Sequence, residues 1–256
     1  MGAMSSFDVV MQKFIGNFGF WLIVLTIVFF ILKRWFSRYR DRFFAKFESA
    51  FADVYNGPSR ITKEKLFAPI QEIVSADWRL KNEGAIRILE IGAGNGANLK
   101  YFPKGSRLVF VDKNAAFEPL LRDNLRLHTS LRLERIVHCN AEDMHEVADE
   151  SVDAVVCSLV LCSVSDVPRV LAEVRRVLAP HVLAKPGTTL NKVQRVLSQS
   201  RIWPTLFLGC RLDKETGKEV KRAGFSDVDL KDLEVYSESH IAFKLIRAHV
   251  AGVATK

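Results

Sequence analysis

Residues 86–91 read Ile-Arg-Ile-Leu-Glu-Ile and run directly into Gly92-Ala93-Gly94-Asn95-Gly96. No other stretch restricts the fold of this chain as strongly. The apolar run has the length of a short buried strand, and it enters a turn with glycine at every second position. Glycine lets the backbone turn tightly and lets a ligand approach where a side chain would clash. The following residues, Ala97 to Phe102, can start a helix. A strand, a glycine turn and a helix open a nucleoside-binding βαβ unit. The expected fold is therefore α/β, a Rossmann-like sheet with helices on both faces.

The downstream pattern agrees. Arg107–Val111 reads as a second strand ending in Asp112, which lies 18 residues beyond Gly94. A carboxylate there can accept hydrogen bonds from both ribose hydroxyls. These features alone do not separate S-adenosylmethionine from NAD, because the turn also fits G-x-G-x-x-A with Ala97 as the last small residue. Two others favour S-adenosylmethionine. Glu90 precedes the first glycine, and an acidic turn, Ala141-Glu142-Asp143-Met144, follows a third strand at Leu131–His138. Asp143 is placed to accept from an adenine amino group, with Met144 against the ring. The plainer reading of Glu142 and Asp143 is a solvated turn. A fourth strand spans Val152–Leu161, apolar enough to be buried on both faces. Ser165-Asp166 offers an N-cap for a helix running to Leu178. Residues 61–82 look helical, with Pro69 as an interruption. Phe225–Tyr236 and Ile241–Ala254 form a closing hairpin.

Before this domain lies a different kind of sequence. Phe18–Leu32 is fifteen residues without a charge. Alone or extended back to Phe14, it spans about 22–28 Å as a helix, against about 30 Å for a hydrocarbon core. Residues 1–32 are read as a membrane anchor rather than a cleaved signal, since the charges follow the run and no small-residue cleavage site comes next. Lys33, Arg34, Arg38, Arg40 and Arg42 follow it directly. That asymmetry puts the C-terminal domain in the cytosol. Within residues 33–58, Trp35, Tyr39, Phe43, Phe47, Phe51 and Tyr55 recur every fourth position beside Arg34, Arg38, Arg42 and Lys46. An aromatic stripe flanked by cations suits a helix in the lipid headgroup region; packing on the domain is the alternative. Asn56-Gly57-Pro58-Ser59 is a turn cluster and marks the expected boundary, with the catalytic domain at 59–256. Met1-Gly2 with Ser6 fits a myristoylation pattern.

Charge narrows the partners. Lys and Arg total 37 against 29 acids, a net +8. The surplus sits next to the apolar run, which favours lipid over nucleic acid. Cys139, Cys157, Cys162 and Cys210 form no C-x-x-C pair, so no metal site is expected and the thiols read as reduced core residues.

Taken in order, E-x-G-x-G-x-G, strand-Asp, A-E-D-M, V-D-x-V-V-C-x-L-V-L-C-S-V and E-V-x-R-V-L-x-P resemble the class I methyltransferases. Within them the chain is similar to the methyltransferase-like seven group of membrane-bound thiol S-methyltransferases. Ala141–Val164 carries this most specifically, and Gly209–Thr216 and His249–Lys256 add to it. The resemblance implies S-adenosylmethionine as cofactor, held by Glu90, Gly92, Gly94, Asn98 and Asp112, with Glu142, Asp143 and Met144 around the adenine. It implies a small-molecule thiol substrate, and the endoplasmic reticulum membrane or lipid droplets as location. It says nothing of protein partners.

One departure matters. In that group the helix ending R-V-L-x-P is followed by G-G, an apolar strand and E-H-V. Here Pro180 is followed at once by His181-Val182. The resemblance implies deletion of a short block, and the usual fifth strand is expected to be missing, with His181–Ala184 or the final hairpin as its replacement. His181 is nominated as a base, against the plainer reading of a polar edge residue. The alternative to an active thiol methyltransferase is a catalytically impaired protein that binds cofactor or a partner; a nicotinamide-dependent reductase is a distant third.

Overall fold

The computed structural model describes residues 6–178, 216–234 and 248–255. His181 and the run to Ala184, Cys210, most of Gly209–Thr216 and Gly2 lie outside the described residues. The chain divides into two compact units, residues 1–44 and 45–256.

Helix α1 (Ser6–Phe67) begins in the first unit. Its Phe18–Ala50 portion is long and apolar enough to cross a membrane. Phe18, Trp21, Phe29, Phe30, Trp35 and Tyr39 are exposed. The turn expected at Asn56–Ser59 is not there, because the backbone stays helical through it. The cause is tertiary. Ser59, Lys63 and Phe67 stand four apart on one face and all are buried, and burial of one stripe outweighs local propensity.

After α1, Ala68–Glu72 forms a 3-10 turn with Pro69 at its start, and α2 (Trp78–Asn82) is capped by Asp77. The sheet holds β1 (Arg87–Ile91), β2 (Arg107–Val111), β3 (Arg132–Val137) and β4 (Ala154–Cys157). All pair in parallel, in the order β3-β2-β1-β4. Helix α3 (Glu118–Leu125) links β2 to β3. Helix α4 (Val167–Val177) follows β4, with Asp166 rather than Ser165 as its cap. Helix α5 (Thr216–Arg222) precedes an antiparallel pair, β5 (Asp227–Glu234) with β6 (Ala248–Thr255). The chain builds outward from β1 to β3, then returns to β4 on the other side. That reversal opens a crevice at the carboxyl ends of β1 and β4, the place where such sheets bind ligands.

Strand alternation makes two cores. Leu89, Ile91, Val109 and Val111 face α4, with Leu230 and Ala254 of the hairpin. Ile88, Leu108, Phe110 and Val156 face the end of α1, with Leu99, Tyr101 and Leu121.

Three expected elements come out shorter. The helix after the glycines is only a 3-10 turn, Leu99–Tyr101. Pro103 disfavours helical geometry at Phe102, whose backbone is extended at φ −79°, ψ 145°. The fourth strand stops at Cys157 instead of Leu161, because the chain turns at Leu159 with φ +59°. The helix expected over 61–82 is split as Pro69 foretold. Beside β4, Leu178 makes a single parallel bridge to Val152. It enters the position a fifth strand takes; among the described residues no further strand pairs there.

Candidate functional site

The glycine turn leaves β1 at its carboxyl end and passes the end of β2. Gly92 has φ +65° and Gly94 φ +53°, a region that costs an L side chain about 1–2 kcal/mol. At Gly92 a Cβ would also run into the Val160 methyl, so the turn after β4 closes down on the glycine loop. At Gly94 the nearest atom is a Glu48 carboxylate oxygen, 3.2 Å from where a Cβ would stand. The Gly94 amide donates to Asp112 Oδ2 at 3.1 Å, and the Asn114 amide to Oδ1 at 2.9 Å. Each oxygen keeps a second lone pair for a ligand. Burial pushes the Asp112 carboxyl up, against the pull of those two amides.

Glu90 lies on the β1 face that meets α1 and is 1% exposed. Asn98 Nδ2 donates to its Oε1 at 2.6 Å, and Lys63 Nζ donates to Asn98 Oδ1 at 2.8 Å. This relay links α1, the glycine turn and β1. Glu90 Oε2 accepts nothing. Burial raises the Glu90 carboxyl to about 8, with Asp112 and Glu48 adding to the rise and Asn98 and Lys63 opposing it. Burial and then Asp112 lift Glu48 to about 7, and burial brings Lys63 down to about 8. Three carboxyl groups and one ammonium are thus coupled around the glycine turn, and burial keeps Glu90 largely protonated near neutrality.

The acidic turn divides. Glu142 Oε1 accepts from the amides of Ser165 and Asp166 at 2.6 and 3.3 Å, so it braces the start of α4. Asp143 is exposed, with His145 Nδ1 at 3.1 Å. Met144 is 0% exposed and its side chain belongs to the core. It forms the floor of the turn. Arg176 and Glu173 clamp this turn to α4: Arg176 Nη2 donates to the Met144 carbonyl at 2.9 Å, and the Met144 amide donates to Glu173 Oε2 at 2.6 Å. The structure therefore gathers Glu90, Gly92, Gly94, Asn98 and Asp112, and sets the acidic turn apart from them as a braced loop.

Glu48 and Lys63 went unread in the sequence. Lys63 carried a faint signal, the four-residue spacing of Ser59, Lys63 and Phe67. Glu48 carried none, since it sits among the cations and aromatics of the stripe. Cys139 and Cys157 are free thiols. Burial pushes Cys139 up to about 11 and Cys157 up to about 12, so both stay protonated near neutrality.

Comparison with known proteins agrees with this geometry. Residues 89–184 match the Methyltransferase domain family. The human protein named thiol S-methyltransferase TMT1A is 37% identical over 234 residues, covering 88% of each chain. The rat protein named thiol S-methyltransferase TMT1B is 35% identical, covering 76% of this chain and 78% of its own. Among solved structures, an S-adenosylmethionine-dependent methyltransferase from Thermotoga maritima superposes with a TM-score of 0.50 at 16% identity, over 83% of this chain and 98% of its own. It shows the same fold. With identity above one third along nearly the full length, the chain belongs to the methyltransferase family of TMT1A and TMT1B, and it is an S-adenosylmethionine-dependent methyltransferase.

Proposed function

We propose that this enzyme S-methylates small alkyl thiols at a membrane, with its cofactor seated over the glycine turn. One observation carries the reading of the site: Glu90, fully buried, has a carboxyl oxygen without a partner beside a glycine turn whose backbone leaves no room for a Cβ at Gly92. An unmade buried hydrogen bond costs about 1–3 kcal/mol, and a ligand with N–H groups relieves it.

The residues present fit S-adenosylmethionine. The remaining lone pairs of Asp112 suit the ribose hydroxyls. Glu90 and Asn98, with the backbone of Gly92 and Gly94, suit the methionyl end. Asp143, on the exposed and braced turn, suits the adenine amino group, while Glu142 and Met144 hold that turn in place. When bound, the cofactor supplies a methyl group on positively charged sulfur, open to in-line attack. The protein's own task is to align the acceptor and keep water out. A thiol ionises near pH 8.5, so no strong base is demanded of the chain. Cys157, with its thiol pushed up to about 12, does not compete with an incoming thiolate.

The apolar length of α1 and the basic residues after it support a membrane anchor with the domain on the cytosolic side; the resemblance to membrane-bound thiol S-methyltransferases implies the endoplasmic reticulum or lipid droplets as its place. Such an anchor keeps the crevice near membrane-dissolved acceptors. The test is transfer of labelled methyl from S-adenosylmethionine to an alkyl thiol, and to the alcohol and primary amine of the same chain length. Transfer to the thiol alone is expected. Preference for the amine or the alcohol overturns the reading.

A further inference from the structure

Glu48 has no part in the family pattern, yet it stands at the centre of the site. It is on α1, more than forty residues before the glycine turn. Its carboxylate lies over the Gly94 backbone, and its Oε2 is buried without a donor. Glu90 Oε2, in the same cluster and fully enclosed, lacks a donor as well. Asp112 faces the same spot from the end of β2, and its carboxylate is held by the Gly94 and Asn114 amides. Lys63 is the nearby cation, engaged with Asn98. This arrangement sets three carboxyl groups against one ammonium and leaves two carboxyl oxygens buried without donors. It calls for a ligand group that is cationic and rich in N–H.

S-adenosylmethionine carries two positive groups, a sulfonium and an α-ammonium. The sulfonium has no hydrogen to donate, so it leaves both oxygens unsatisfied. A carboxylate against it would also stabilise a charge that disappears in the transition state, which slows the reaction. The ammonium has three N–H donors on a point charge and meets both requirements.

Resting on the cofactor reading above, we infer that Glu48 is a cofactor-binding residue that accepts a hydrogen bond from the α-ammonium of the methionyl group, with Glu90 receiving a second N–H. The helix that carries the anchor thereby supplies part of the cofactor site. The raised Glu48 and Glu90 carboxyls are what such a site shows before its cation arrives, since an incoming ammonium favours their ionised forms.

The experiment is a four-way calorimetric comparison on the full chain in detergent. S-adenosylhomocysteine, which keeps the ammonium, is set against its deamino analogue, for the wild type and for Glu48→Gln. The wild type should bind S-adenosylhomocysteine about tenfold or more tightly than the deamino analogue, and Glu48→Gln should lose most of that preference. The deamino analogue should bind both proteins within about twofold, reporting that the variant is folded. Three results overturn the inference: a wild type that does not discriminate between the ligands, a variant that keeps the full preference, or a variant that binds S-adenosylhomocysteine more tightly, which would make Glu48 a plug. Failure of the wild type to bind either ligand would strike the placement of the cofactor instead.

Discussion

Two carboxylates are buried at opposite ends of the same sheet, and they differ in one respect. Asp153, just before β4, is 7% exposed. Its Oδ2 accepts from Ser75 Oγ at 2.7 Å and the Arg87 amide at 2.8 Å, and its Oδ1 accepts from the Ala76 amide at 2.9 Å. It ties the segment after α1 to the amino end of β1, and the local donors are used up. Glu90, at the carboxyl end of β1, has one donor at 2.6 Å and an oxygen with none. Burial of an acid does not mark a function. A buried acid whose hydrogen bonds close on the protein is structure, and one whose bonds stay open is prepared for something else.

The largest test of this contrast removes the closed one. Asp153→Ala leaves a buried hydroxyl and two part-buried amides without their acceptor, at about 1–3 kcal/mol for the hydroxyl and less for each amide. Thermal denaturation should show a fall of roughly 10 °C, while calorimetry on the folded fraction finds cofactor affinity unchanged. A stable variant that has lost its cofactor would reverse the roles of the two ends.

A smaller effect tests the open end through pH. Glu48 and Glu90 have folded-state values raised to about 7 and about 8. Raised carboxyls hold protons longer in the folded than in the unfolded chain, so their contribution is full below about 4.5 and is lost as pH climbs through 7 to 8. Lys63, lowered to about 8, acts in the opposite sense between about 8 and 10.4. The ligand-free melting temperature should therefore fall from pH 5 to 8 and pass through a minimum near there. Glu90→Gln should flatten the descent by a few degrees. An unchanged slope in that variant would mean that Glu90 is already satisfied.

Much of this was legible in the sequence, and what was not has physical causes. The first three strands ended within a residue or two of their reading, because apolar runs bounded by turn residues leave little choice. The fourth was read too long: its apolar run continues past Cys157, and nothing local in Leu159 announces a left-handed turn. That turn exists to set Val160 against Gly92, a contact between distant segments. The turn at Asn56–Ser59 was misread for a similar reason, since the buried face of Ser59, Lys63 and Phe67 holds the helix through its breakers. In the site, the glycines, Glu90 and Asp112 were readable because they lie at strand ends. The burial of Met144 was not readable, because an apolar residue in a ligand loop reads the same whether it faces ligand or core. Glu48 was invisible, since an exposed-looking acid on an aromatic stripe gains its role only when the helix is laid against Gly94.

The claim that the carboxyl ends of β1 and β2 hold the cofactor rests most directly on Asp112. Equilibrium binding of S-adenosylhomocysteine to the full chain should weaken in Asp112→Ala by about 1.5–3 kcal/mol, the cost of losing hydrogen bonds to a charged acceptor. Affinity equal to the wild type would remove Asp112 from the site and, with it, the placement of the cofactor over the glycine turn.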